Sequence, residues 1–239
     1  MCAVAVAATA EHRPHDLLWV DAAAALIAVD VLPVWATVEW LSVAPVVVRR
    51  APITASGAVP VGLRGATRSE RCAAHVAADR IVRVMTPEAI ARRVASHPLV
   101  RSSPLPCLRA LARIAPGLDR SALAWGVTGS VGFTLASGFD VLRESSDLDL
   151  LVRAPDRRDG ESLRAVAAVL RDACSSDEVR ADRQADVRPD RPIDMQADVR
   201  IDVQVETPRG AFALKEWLRT GGAVLLKTAA GPLLCDDPW

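Results

Sequence analysis

The run Asp147-Leu148-Asp149 opens an alternating segment, DLDLLV, that ends at Val152. An Asp-x-Asp pair alone carries little weight, because twenty aspartates in 239 residues give about two such pairs by chance. Its setting carries more. On a strand, residues i and i+2 point the same way, roughly 7 Å apart, so both carboxylates share one face and Leu148, Leu150 and Val152 take the other. A second alternating run, IDVQVE from Ile201 to Glu206, sets Asp202, Gln204 and Glu206 opposite Ile201, Val203 and Val205. If the two strands are neighbours, Asp202 supplies a third carboxylate. Such a group can hold two Mg²⁺ ions, which prefer carboxylate and phosphate oxygens. Two metals in turn stabilise the attacking and leaving oxygens of an in-line displacement at phosphorus. Upstream, Gly129-Ser130 follows the apolar run ALAWGV (Ala122 to Val127). A Gly-Ser turn offers backbone N–H groups and a hydroxyl to a phosphate, and glycine lets the backbone come close.

Basic side chains could meet the same phosphates. Lys227 follows the apolar run Ala223 to Leu226, and Arg64, Arg68 and Arg71 have i, i+4, i+7 spacing around an expected helix start. Arginines beside a helix N-terminus bind anions well. Solvated surface arginines fit that spacing equally, as they do Arg49 and Arg50. His15 beside Asp16 is half of a nucleophile-activating triad, but no serine motif accompanies it, so a structural role is expected.

The elements that must position these groups fall into two parts. HPLVRSSPLP, from His97 to Pro106, is rich in proline and serine without apolar periodicity and reads as a linker. Before it, Pro45 to Arg50 and Val59 to Leu63 read as short strands. Thr67 to Glu70 (TRSE) is a capping-box pattern that predicts a helix running to about Arg80. Thr86-Pro87-Glu88 marks another helix start, with Thr as N-cap and Pro in the first turn. After the linker, Leu105 to Ala115 has helical spacing and is expected to stop at Pro116-Gly117; Gly160 to Ala173 also suits a helix. QADVR occurs at Gln184 to Arg188 and again at Gln196 to Arg200. Two copies do not make a solenoid, and an exposed duplicated loop is the expectation.

Composition narrows the function classes. Twenty-nine basic and twenty-nine acidic side chains cancel, whereas a chain held on nucleic acid by its phosphates carries a basic excess. Three Phe, six Trp and no Tyr make base-stacking platforms improbable, so no nucleic-acid partner is expected. Apolar runs such as Ala22 to Val29 fall far short of the ~18 residues of a membrane span. The first ten residues lack a leading Lys or Arg, so no secretory signal is expected. Five scattered cysteines without C-x-x-C spacing speak against a disulfide framework or a zinc site. The expected location is the cytoplasm.

A Gly-Ser turn followed by a strand bearing D-x-D is similar to the signature of the polymerase-beta-like nucleotidyltransferases, here with sixteen residues between Ser130 and Asp147. The wording is closer to one group. WGVTGSVGFTLASGFDVLRESSDLDLLVRAP, together with RPHDLLWV, VVVRR, VPVGLRG, IDVQVETPRGAFALKEW and the terminal DDPW, resembles the phosphoribosyl-dephospho-CoA transferase family of bacterial malonate decarboxylase, the holo-acyl-carrier-protein synthases of that system. The resemblance runs from about Arg13 to Trp239. It departs at Asp177 to Arg200, where the repeat looks like an insertion and Asp194 and Asp198 stand in sequence similar to that around Asp202.

The resemblance implies an α/β chain of the α+β kind. A polymerase-beta-like nucleotidyltransferase domain (101–239, with a polar insertion near 177–200) would follow a smaller mixed α/β substrate or partner domain (1–100). It implies transfer of phosphoribosyl-dephospho-CoA from 2'-(5-triphosphoribosyl)-3'-dephospho-CoA to a serine of the malonate decarboxylase acyl carrier protein, with pyrophosphate leaving. In that scheme Asp147, Asp149 and Asp202 are catalytic and bind Mg²⁺, with Asp202 placed to accept the serine proton. Gly129, Ser130, Arg64, Arg68 and Lys227 would meet the substrate. Two other readings stay open: another metal-dependent nucleotidyltransferase acting on a protein or small-molecule hydroxyl, and a non-catalytic module that binds the carrier or the CoA moiety. Intact Gly129-Ser130 and both aspartates favour catalysis.

Overall fold

The structure is a computed structural model that describes residues 12–52, 54, 57–67, 69–171 and 199–239. It divides into two compact units, Met1–Met85 and Thr86–Trp239. The division falls before His97, not in the proline-rich stretch expected to be a linker. That stretch holds a short helix, and two of its prolines, Pro98 and Pro106, sit at helix starts, where a missing N–H costs nothing.

The first unit is one antiparallel sheet of β1 (Leu17–Val20), β2 (Leu26–Ala28), β3 (Val46–Val48), β4 (Val59–Arg64), β5 (Arg71–Val76) and β6 (Ile81–Met85), in the order β2-β5-β4-β3-β1-β6. Helix α1 (Val38–Val43) sits between β2 and β3, with Thr37 as its N-cap. Leu18, Val61, Ala74 and Val76 are fully buried at the centre of its core.

The helix expected from Thr67 to Arg80 does not form. Thr67 and Glu70 instead close the β4–β5 hairpin: Glu70 Oε2 accepts from the Thr67 N–H at 2.8 Å, and the Gly65 N–H donates to the Glu70 carbonyl at 2.9 Å. That glutamate-to-backbone bond, one half of the capping box that begins a helix, serves a tight turn equally well. Cross-strand pairing of Leu63 with Cys72 and Arg64 with Arg71 then decides for strand. Arg64 and Arg71 are therefore opposite one another on two strands, not successive turns of a helix. Arg68 lies outside the described residues.

The second unit carries a mixed sheet ordered β12-β11-β10-β9-β8-β7. Its strands are β7 (Trp125–Val127), β8 (Leu148–Arg153), β9 (Ile201–Thr207), β10 (Gly210–Ala213), β11 (Val224–Thr228) and β12 (Gly231–Cys235). Only β8 and β9 run parallel. The helices are α2 (Pro87–Ala91), α3 (Pro98–Ser102), α4 (Pro106–Asp119), α5 (Gly129–Ser137), α6 (residues 160–171) and α7 (Leu214–Thr220). Helix α2 starts as its sequence predicts: the Thr86 hydroxyl accepts from the Ala89 N–H at 3.1 Å, a cap worth about 1 kcal/mol. The chain class is α+β.

Helix α4 runs through Pro116-Gly117, where the sequence predicted a stop. Leu108, Leu111, Ile114 and Leu118 form one continuous buried stripe, and Pro116 faces solvent. Burying Leu118, at roughly 2 kcal/mol, offsets most of the cost of an interior proline. Phe212, level with Val205, is fully buried against Trp217 and Trp239, with ring centroids 6.4 and 5.8 Å away. Trp239 also donates from Nε1 to the Ala154 carbonyl at 3.0 Å, so the terminal DDPW closes this core. Asp194, Asp198 and the first QADVR copy lie outside the described residues. No helix among those described is long and apolar enough to cross a membrane.

Candidate active site

The site grows from the parallel pairing of β8 with β9. Leu148, Leu150 and Val152 pack inward, as do Val203 and Val205. The carboxylates are thereby left on the other face, and the register sets Asp149 directly opposite Asp202. Adjacent strands are about 4.8 Å apart, so the two residues stand side by side at the strand-to-strand spacing with their side chains on one face. Asp147 stands two residues before Asp149, just ahead of β8, and all three are half-buried. The Leu148 N–H donates to the Arg200 carbonyl at 2.9 Å and fixes the start of the pair. Arg200 also reaches Asp202 Oδ2 at 2.8 Å, an exposed ion pair of small energetic weight.

The Gly-Ser segment meets the same carboxylates. The Thr128 N–H donates to the Asp149 carbonyl at 2.9 Å, and the chain then turns into α5 through Gly129 at φ +61°. A Cβ on Gly129 would overlap the Asp149 carboxylate, with Cγ 2.7 Å and the aspartate Cβ 2.9 Å away. Only glycine fits both the dihedral and the space. The first turn of α5 holds no acidic residue, and its positive dipole end lies beside Asp149, where an anionic group is favoured. Ser130 is half-buried in that turn.

Lys227 belongs to the same face of the sheet. It is level with Ala211, which is level with Glu206, and its Nζ donates to Gln204 Oε1 at 3.5 Å. Asp149 is thus set beside Asp202 and against Gly129, Asp147 and Ser130 adjoin them in the chain, and Lys227 joins their face through Gln204. Arg64 belongs to the first unit, where it is largely buried and its carbonyl accepts from Trp40 Nε1 at 2.7 Å.

Sequence reasoning missed the charged group at the other end of the strand pair. Arg153 donates from Nε to Glu88 Oε1 at 2.8 Å, and its Nη1 lies 4.0 Å from Glu206 Oε2. Gln204 Nε2 donates to Glu206 Oε1 at 2.9 Å. Glu88 reaches in because α2 lies directly on β7: a Cβ on Gly126 would stand 2.8 Å from the Glu88 nitrogen. The only signal in the sequence was Glu206 sharing a face with Asp202.

Among the described residues no three His, Cys, Asp or Glu side chains converge as a ready-made metal cage. The site offers a facing pair of carboxylates with a third beside it. That donor set suits Mg²⁺, which takes one or two carboxylates and completes its shell from phosphate and water.

Two family models cover the chain: the phosphoribosyl-dephospho-CoA transferase MdcG N-terminal domain over residues 13–87, and its C-terminal domain over 94–196 and 192–238. Among curated relatives, the phosphoribosyl-dephospho-CoA transferase of Klebsiella pneumoniae (strain 342) is 42% identical over 230 residues, covering 95% of this chain and 96% of that protein. The protein of the same name from Pseudomonas putida (strain W619) is 43% identical over 227 residues, 95% of each chain. That of Pseudomonas syringae pv. tomato (strain ATCC BAA-871 / DC3000) is 40% identical over 226 residues, 95% of this chain and 92% of the relative. No solved structure matches the chain. Fold and relatives together define an α+β transferase. More particularly, the chain belongs to the phosphoribosyl-dephospho-CoA transferase family.

Proposed function

We propose that this transferase moves phosphoribosyl-dephospho-CoA from 2'-(5-triphosphoribosyl)-3'-dephospho-CoA onto a serine of the malonate decarboxylase acyl carrier protein, in the cytoplasm and with Mg²⁺. The observation that carries the reading is the Asp149–Asp202 pair facing across parallel strands, with the Gly129-Ser130 helix start against it. The serine oxygen bonds to the phosphorus attached to the ribose, the bond from that phosphorus to the outer two phosphates breaks, and pyrophosphate leaves. Asp202 takes the serine proton, being the carboxylate on the strand farther from Gly129. Asp147 and Asp149, with Asp202, would hold the metal, which supplies charge neutralisation for the attacking and leaving oxygens when bound. The amides of Gly129 and Ser130 and the Ser130 hydroxyl orient the phosphates. Lys227, on the same face through Gln204, would meet the outgoing pyrophosphate.

The test is mass spectrometry of the purified carrier protein after incubation with the donor and Mg²⁺. One phosphoribosyl-dephospho-CoA added per carrier, with stoichiometric pyrophosphate, is the expected result. An unmodified carrier would overturn the assignment. Modification that survives replacement of the acceptor serine by alanine would overturn the acceptor.

A further inference from the structure

Alternation alone does not determine which residue of β9 faces Asp149. Ile201, Val203 and Val205 repeat every second position, as do Leu148, Leu150 and Val152. A one-residue slip would turn every side chain to the wrong face and is forbidden. A two-residue slip keeps each apolar residue inward and, except where Pro208 without its N–H would enter the pair, still offers backbone hydrogen-bonding partners. It would shift β9 along β8 by about 6.6 Å. Asp149 would then face Gln204 or Arg200, and the carboxylate pair would be lost.

One contact separates these registers. Arg153 is the register partner of Glu206, four residues beyond the Asp149–Asp202 pair and on the same face. Both are largely buried: side-chain exposure is 14% for Arg153 and 7% for Glu206. Glu88, 13% exposed, holds the guanidinium from the other side at 2.8 Å. A slip in one direction puts Arg153 opposite Gln204, and in the other opposite exposed Pro208. Either way Glu206 leaves its guanidinium, and a buried carboxylate stripped of its cation is strongly disfavoured. Among buried polar groups, setting the register between otherwise equivalent pairings is the best-attested use.

We propose that the Glu88–Arg153–Glu206 group is the register lock of the β8–β9 pair, and that Arg153 and Glu206 are positioning residues for the transfer; the second half rests on the function proposed above. The backbone bond from the Ala154 N–H to the Glu206 carbonyl, 2.9 Å, then extends the register that the lock selects.

The experiment replaces the whole group at once, so that no buried charge is left alone: Glu88→Gln, Arg153→Met and Glu206→Met in the full chain. Register is read without donor or metal, from interstrand NMR contacts between Leu150 and Val203 in isotope-labelled protein. The expected result is a cooperative melt with a second set of contacts, Leu150 to Val205 or to Ile201. At least a tenfold drop in kcat and a higher Mg²⁺ concentration for half-activity should accompany it, while Arg153→Lys stays close to wild type in all three. A triple variant showing only the Leu150–Val203 set overturns the proposal and assigns the register to packing around Val205 and Phe212. If the triple variant does not fold, Glu206→Gln is the second test. Amide exchange in β9 should rise at least tenfold while β7 and α4 are unchanged, and unchanged exchange in β9 overturns the lock. Because register is read before any chemistry, a wild-type protein that transfers nothing would overturn the proposed function and leave the register result standing.

Discussion

Gly129→Ala tests the site at its tightest point. Two costs follow from the geometry. The backbone at Gly129 is left-handed at φ +61°, which costs an L-residue about 1–2 kcal/mol and should lower Tm by a few degrees in a chain of this size. The added methyl would also stand 2.7 Å from Asp149 Cγ, where carbon atoms rest at about 3.5–4.0 Å. Something must retreat by about 1 Å. The Thr128 N–H holds the Asp149 backbone at 2.9 Å, so the carboxylate is the part that moves, away from its place opposite Asp202. A displacement of that size at a reacting centre costs roughly a hundredfold in rate. The expected outcome is therefore a folded protein with kcat down about a hundredfold, a higher Mg²⁺ requirement and a modest loss of Tm. The assay is carrier modification followed by mass spectrometry at saturating donor, alongside a thermal melt. A variant within a few-fold of wild-type kcat would show that Asp149 is not held for catalysis. A variant whose loss of activity merely tracks its unfolded fraction would refute the geometric argument just as well.

Asp147→Asn and Asp149→Asn should each reduce transfer at least about a hundredfold while circular dichroism stays unchanged, since each removes a negative oxygen donor from the phosphate chemistry. Asp202→Ala should do the same, whereas Asp194→Ala and Asp198→Ala should stay within a few-fold; an inactive Asp194 or Asp198 variant would move the third carboxylate out of β9. Pro116→Ala restores a helix-compatible residue at an exposed position of α4 and should raise Tm by a few degrees, read by calorimetry. Cys107 is fully buried, and burial pushes its thiol above the ordinary range. In the native protein it should resist iodoacetamide at neutral pH while Cys72 and Cys235, both partly exposed, label.

The elements that the sequence disclosed are those whose signal is local and strong. DLDLLV and IDVQVE alternate with period two, and each became a strand with its apolar residues inward. Thr86-Pro87-Glu88 became a capped helix start because cap, proline and acidic first turn all act within four residues. The misreadings came where a local signal serves two structures. TRSE bonds to itself in a turn much as it does at a helix N-terminus, and only the pairing of β5 with β4 decided between them. Pro116 breaks an isolated helix, yet the buried stripe from Leu108 to Leu118 carries α4 past it.

By itself the sequence determined that Asp147 and Asp149 share one face, that Asp202 stands opposite an apolar stripe, and that a glycine precedes Ser130. Those are consequences of backbone periodicity, which needs no partner strand. Tertiary structure alone decided that β8 and β9 run parallel as neighbours, that Asp149 rather than Asp147 faces Asp202, and that Gly129 presses on that carboxylate. Strand order and register depend on residues far apart in the chain, such as Arg153, Glu206 and Glu88. The free energy that selects among pairings comes from burying those side chains together, and no window of consecutive residues contains it.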